Sequence, residues 1–108
     1  MIKQKGISFE IVIADDGSKE DYFKEIRTFF QIHSFNDFVL YKNTPNVGTV
    51  KNLLKGIALS SGKYFFGYSP GDILKYQFVL RDLYCFSSRH NARCFFARAV
   101  YYHKDGLE

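Results

Sequence analysis

No stretch of this chain is apolar for the roughly 20 residues that a membrane-spanning helix needs. The opening residues Met1-Ile2-Lys3-Gln4-Lys5-Gly6 contain no apolar core of a secretory leader. The two cysteines, Cys85 and Cys94, are too few for a disulfide framework and lack metal-site spacing. The expectation is a pair of reduced, largely buried thiols in a cytosolic chain. Tryptophan is absent, and no basic run exists although the formal net charge is +4. That charge mildly favours anionic ligands, and nucleic acid is not expected as a partner. Internal repeats, low-complexity tracts and linkers are also missing, and 108 residues suffice for one small domain. His33 and His90 have no set of ligating partners near them in sequence and read as surface or core-edge residues, and His103, near the end, carries little information.

What the chain does have is apolar mass. Hydrophobic residues make up 46% and aromatic residues 19%, with 12 Phe and 8 Tyr, so a packed core is expected. Its first clear element is Ile11-Val12-Ile13-Ala14, an unbroken apolar run that reads as a strand buried on both faces. Tyr22, Ile26, Phe29, Phe30 and His33 fall at helical spacing and predict an amphipathic helix over about 19–34. Ser18 and Asp21 form a capping-box variant at its start. Phe38–Tyr41 reads as a second strand. Val47, Val50, Leu54, Ile57 and Ala58 predict a second helix, closed by Ser60-Ser61-Gly62. Tyr64-Phe65-Phe66 reads as a third, buried strand. Pro70-Gly71 reads as a type II turn, with Asp72 capping a third helix over about 73–88. Ala92 to Tyr102 reads as a last strand. The alternation predicts an α/β layer fold with a mostly parallel sheet.

Three polar loops follow three of these strands: Asp15-Asp16-Gly17-Ser18, then Asn43-Thr44-Pro45-Asn46-Val47-Gly48, then Ser69-Pro70-Gly71-Asp72. Parallel strands would bring all three to one edge of the sheet, where ligands bind in open α/β folds. A nucleotide there needs acceptors for base and ribose, backbone N–H groups for phosphate, and a cation against the diphosphate charge. Each loop also has a plainer reading. Asp16, Gly17 and Ser18 can simply turn the chain and cap a helix. Asn46-Val47-Gly48 can be a turn and a helix start, and Asp72 an N-cap.

The order "FEIVIADDGS" followed by "NTPNVGTVKNLLKGIALSSGKYFFGYSPGDIL" resembles the nucleotide-sugar half of a family 2 glycosyltransferase of the GT-A fold. The resemblance runs from about Ile7 to Val79. It implies a three-layer, Rossmann-like α/β fold, a mostly parallel sheet with flanking helices, present here in truncated form as a single partial domain over 1–108. Asp16 resembles the carboxylate that contacts the uracil of a UDP-sugar, and Asp15 its loop-supporting neighbour. Asn46 and Gly48 match the Asn-x-Gly motif, Asn52 matches an asparagine of one branch of the family, and Asp72 falls on the last acid of the metal-binding turn. A divalent cation, Mn or Mg, is thereby implied. Ser69-Pro70-Gly71-Asp72 keeps one acid where Asp-x-Asp-Asp is usual, and Leu53-Leu54 stands at the usual Arg-Asn pair.

The resemblance further implies a nucleotide-sugar donor, a saccharide or lipid-linked acceptor, and a cytoplasmic setting, with peripheral attachment to the inner face of the membrane left open. No residue matches the catalytic base, so the chain alone is expected to be inactive in transfer. The family's first strand is not matched either, and the expectation is either a homo-oligomer that pairs the open sheet edges or a poorly stable chain. Two other classes stay open: a nucleotide-binding or interaction module without catalysis, and a phosphorylation receiver domain.

Overall fold

The computed structural model describes residues 1–69 and 72–93, together with the backbone of 102–103 and 106–107. Strand β1 (Ile11–Asp15) leads through helix α1 (Phe23–Ile32) to strand β2 (Phe38–Lys42) and helix α2 (Thr49–Leu59). Helix α3 (Val79–His90) follows, then the short strands β3 (Tyr102–His103) and β4 (Gly106–Leu107), an antiparallel pair. β1 and β2 run parallel in a two-stranded sheet, in register from Ile11 opposite Phe38 to Asp15 opposite Lys42. A β-α-β crossover is what a parallel pair requires. The result is the expected small α/β unit, a parallel sheet with flanking helices. Among the described residues no helix is long and apolar enough to cross a membrane.

The best-packed part of the unit is aromatic. Phe30, 5% exposed, projects from α1 with its ring 4.6 Å from that of Phe38 and 5.3 Å from that of Phe35. Phe35 in turn meets Phe9 at 5.5 Å. The stripe on α1 is therefore narrower than its spacing suggests: Ile26 is half-buried, whereas Tyr22 and Phe29 are exposed. The helix also starts later than expected. Asp21 accepts a hydrogen bond from Phe23 N–H, while Ser18 turns back to Asp15 and caps nothing.

Helix α2 forms where expected but rolls to a different face. Val50 is 70% exposed and Leu54 59% exposed, although both fit the predicted apolar stripe. The face toward β1 carries Asn52 and Gly56 instead. Asn52 Nδ2 donates to the carbonyl of Ala14 at 2.8 Å. At Gly56 an added Cβ would lie 3.7 Å from the Cβ of Ala14. Directed hydrogen bonding and a small residue at the contact set this rotation, and apolar periodicity alone could not report it.

Three further expectations are corrected. Tyr64–Phe66 is not a strand; it is irregular, and Phe65 is 61% exposed. A strand exists only where a neighbour takes its N–H and C=O groups, and among the described residues β1 pairs with β2 alone. Second, α3 starts at Val79, so Asp72 lies too far upstream to cap it. That function falls to Gln4, whose Oε1 accepts from Leu80 N–H at 3.0 Å while its Nε2 donates to the Tyr76 carbonyl at 2.7 Å. Third, Cys85 is exposed. Cys94, the central residues of the Pro70-Gly71 turn and most of the expected last strand lie outside the described residues, though Asp72 N–H does close a turn onto the Ser69 carbonyl at 3.0 Å.

Gln4→Ala should leave the Leu80 amide without its acceptor. The expected loss is about 1 kcal/mol, the usual scale for removing a helix cap. Faster hydrogen exchange confined to the first turn of α3, with a small fall in melting temperature, is the result to look for.

Candidate functional site

Parallel register places the ends of β1 and β2 side by side, and the loops leaving them meet. Asp16 is the junction. Its Oδ1 accepts from Val47 N–H at 2.8 Å and from Asn43 Nδ2 at 3.3 Å, and its Oδ2 accepts from Gly48 N–H at 3.0 Å. Its carbonyl accepts from Asn46 Nδ2 at 2.8 Å. The carboxylate thus sits at the start of α2, where the aligned peptide dipoles favour negative charge. No acidic residue lies in the first turn of α2, and no side chain of its N-cap residue, Gly48, closes it. The first-turn amides Thr49, Val50 and Lys51 have no partner within the helix, as helix geometry dictates.

Asp15 points the other way. Its Oδ1 accepts from Ser18 N–H at 2.9 Å and from Ser18 Oγ at 2.7 Å. Those two bonds, the hydroxyl first, hold its carboxyl below the usual carboxylate range. Between the two acids and the helix lies Gly17, at φ +87°, where an added Cβ would lie 3.2 Å from both the Asn43 carbonyl oxygen and the Asn46 nitrogen. Both the left-handed backbone and the close approach call for glycine here. Gly48 also has positive φ, +95°, but nothing crowds it.

The residues anticipated from sequence are therefore brought together with one exception. Asp15, Asp16, Asn46, Gly48 and Asn52 share one hydrogen-bonded cluster at the carboxyl end of the sheet. Asp72 is not bonded to it. Its Oδ2 accepts from Ser69 N–H at 3.1 Å, and its carbonyl accepts from the Tyr68 hydroxyl. Among the described residues no group of three His, Cys, Asp or Glu side chains could hold a metal ion. The donor set fits a divalent cation only in the manner of one carboxylate that leaves the other positions to phosphate oxygens and water. A cleft of about 410 Å³ lies between the N-terminal segment and the Tyr68–Gln77 region, lined by Gln4, Tyr68, Ile73 and Tyr76 among others, and none of the anticipated site residues lines it.

One member of the cluster was not singled out from the sequence. Asn43 is 6% exposed, and it contacts both loops and α2. The strand register accounts for it: Lys42 lies opposite Asp15, so Asn43, the first residue after β2, adjoins Asp16.

Fold and motif order agree with a glycosyltransferase-like α/β domain. The chain belongs to Glycosyl transferase family 2, whose model matches residues 1–105. It therefore carries a glycosyltransferase-like domain, of a family that works on a nucleotide-sugar donor and an acceptor. No curated protein and no solved structure matches it.

Two outcomes are expected of this cluster. Gly17→Ala should cost about 1–2 kcal/mol from the left-handed backbone alone, with crowding against Asn43 in addition, as read by denaturant unfolding. Acid should also weaken the fold through Asp15 and Glu10, whose carboxyls are both held low, Glu10 chiefly by the Ser61 backbone N–H. A depressed folded-state pKa gives stability that is present above the unfolded value and lost as pH falls through the folded one. Melting temperature should therefore decline below about pH 4, the ordinary carboxylate range, and Asp15→Asn should flatten part of that decline.

Proposed function

We propose that the cluster at the carboxyl end of β1 and β2 binds a nucleotide-diphospho-sugar, specifically a UDP-sugar, for transfer to a saccharide or lipid-linked acceptor. The observation that carries this reading is the state of Asp16. A carboxylate offers about four acceptor positions, and the protein fills three of them, from Val47, Gly48 and Asn43. The carboxylate is thus fixed in place with one position on Oδ2 left for the imide N–H of a uracil ring. The first-turn amides of α2 supply donors suited to phosphate oxygens. Asp15 supports the loop, Asn46 and Gly48 shape the approach to α2, and Asn52 holds the helix against β1.

Asp72 belongs to the same proposal as the carboxylate that shares a Mn or Mg ion with the diphosphate. A homo-oligomer is a further part of it, favoured by outer sheet edges to which no described strand pairs; light scattering at rising concentration reads it directly. No residue of the chain is assigned as catalytic base.

The two acids should behave differently toward UDP. A hydrogen bond to a charged group contributes about 1.5–3 kcal/mol. Asp16→Asn should weaken UDP about tenfold, with or without metal, and lower the melting temperature because three loop donors lose their charged acceptor. Asp72→Asn should abolish any manganese enhancement and leave metal-free binding unchanged. Calorimetry with manganese and with chelator separates the two. Equal, metal-independent losses in both variants would reduce these residues to structural caps.

A further inference from the structure

Among the described residues only two polar side chains are buried, Asn43 and Ser87. Ser87 is satisfied within its own helix, its hydroxyl donating to the Tyr84 carbonyl at 2.9 Å. Asn43 is different, because its bonds join three separate elements. Its backbone N–H donates to the Asp15 carbonyl at 2.8 Å. Its side-chain nitrogen donates to Asp16 Oδ1 at 3.3 Å and to Asn52 Oδ1 at 2.7 Å.

The chemistry of these partners fixes which way the amide faces. Ala14 offers a carbonyl, so Asn52 must turn its Nδ2 toward it. Asn52 then presents only its oxygen to Asn43. Asp16, when ionised, also only accepts. Both neighbours demand N–H groups, so the Asn43 side chain must turn its NH₂ inward and spend one hydrogen on each. The reversed amide would set oxygen against oxygen twice. The orientation is thus dictated from β1 through α2, and the last bond in the series occupies one position on the Asp16 carboxylate.

We infer that Asn43 is the positioning residue for the donor base: by occupying one position on Asp16 Oδ1 it sets the carboxylate plane, so that the remaining position on Oδ2 is aimed for the ligand. This rests on the reading of Asp16 as the base-binding acid. Val47 and Gly48 hold the carboxylate from the α2 side alone, and Asn43 supplies the hold from the β2 side. The distinction is between anchoring the loop, which any of the three donors does, and setting the direction in which the free acceptor position points, which needs donors on both sides. A positioning residue of this kind should affect discrimination between bases more than it affects binding of the diphosphate.

The test compares Asn43→Ala with the unaltered chain, titrated with UDP and with CDP well below the melting temperature of the variant. Uracil presents an imide N–H where cytosine presents a bare acceptor, so a well-aimed carboxylate separates them. The expected result is an approximately tenfold loss for UDP, little change for CDP, and a UDP-to-CDP preference that falls toward one. An unchanged preference overturns the inference, whether affinity is retained or both ligands weaken equally, since equal weakening is what a purely structural role gives. Should Asn43→Ala not fold, Asn43→Ser, which keeps a donor but loses reach, is read in the same way.

A double-mutant cycle on unfolding, with Asn43→Ala and Asp16→Asn alone and combined, needs no ligand. Melting-temperature losses that are less than additive show that Asn43 holds Asp16; additive losses overturn that hold. Coupling without any UDP binding by the unaltered chain would leave the hold standing and bring down the donor reading, and with it the inferred aim.

Discussion

The carboxylate of Asp16 against the amides of Val47 and Gly48 is the contact on which the rest of the site depends. A parallel strand pair leaves both strand ends on one edge, but it does not make the loops converge. Convergence comes from a single charged acceptor placed where the helix start supplies donors and a favourable dipole. Once Asp16 is seated, Asn46 can close on its carbonyl, Gly17 is pressed against Asn43, and α2 starts beside the end of β1. These interactions share members, so their energies are not separable sums. Removing the central acceptor disturbs every contact that assumes its position.

The same contact bears on function in a way that a solvent-facing acid would not. A side chain free to rotate would have to be ordered each time a ligand arrived. Here the protein has already ordered it, using its own backbone. Three occupied positions and one open position make a directional acceptor rather than a diffuse negative charge. For the UDP-sugar proposed above, that difference matters: undirected negative charge near the base would oppose binding, whereas a carboxylate screened by N–H donors and a helix start leaves mainly its directional bond.

How much of this could be read from the sequence differs by element. The run Ile11–Ala14 and the stretch Phe38–Tyr41 announced their strands by their unbroken apolar character, but both strands are half-buried rather than buried on both faces, because the described sheet that holds them has only two strands. Asp15, Asp16, Asn46 and Gly48 could be placed together because parallel strands bring their loops to one edge, whereas Asn52 followed only from the family resemblance and the same edge argument included Asp72, which bonds elsewhere. The roll of α2 could not be read, because Val50 and Leu54 obey apolar periodicity while Asn52 and Gly56 make the contact. The start of α3 escaped for a related reason: its acceptor, Gln4, is 76 residues away from Leu80 in the chain. Tyr64–Phe66 has the composition of a strand, but composition cannot provide a neighbour. Asn43 was not singled out because an asparagine two residues before a proline first suggests a turn, and only the pairing of Lys42 with Asp15 reveals its other meaning.

Asp16 has a counterpart at the opposite end of the same strand. Glu10, just before β1, accepts from Ser61 N–H through one carboxylate oxygen and from the Ser61 hydroxyl, at 3.1 Å, through the other. Ser61 lies just beyond the end of α2. The strand therefore grips the helix at both ends, through Asp16 at the start of α2 and through Glu10 past its finish, with Asn52 bonded between them. A rod pinned at two ends and its middle can neither slide along its support nor swivel on it. The helix is thus fixed on its strand by two carboxylates, one at either end of the strand.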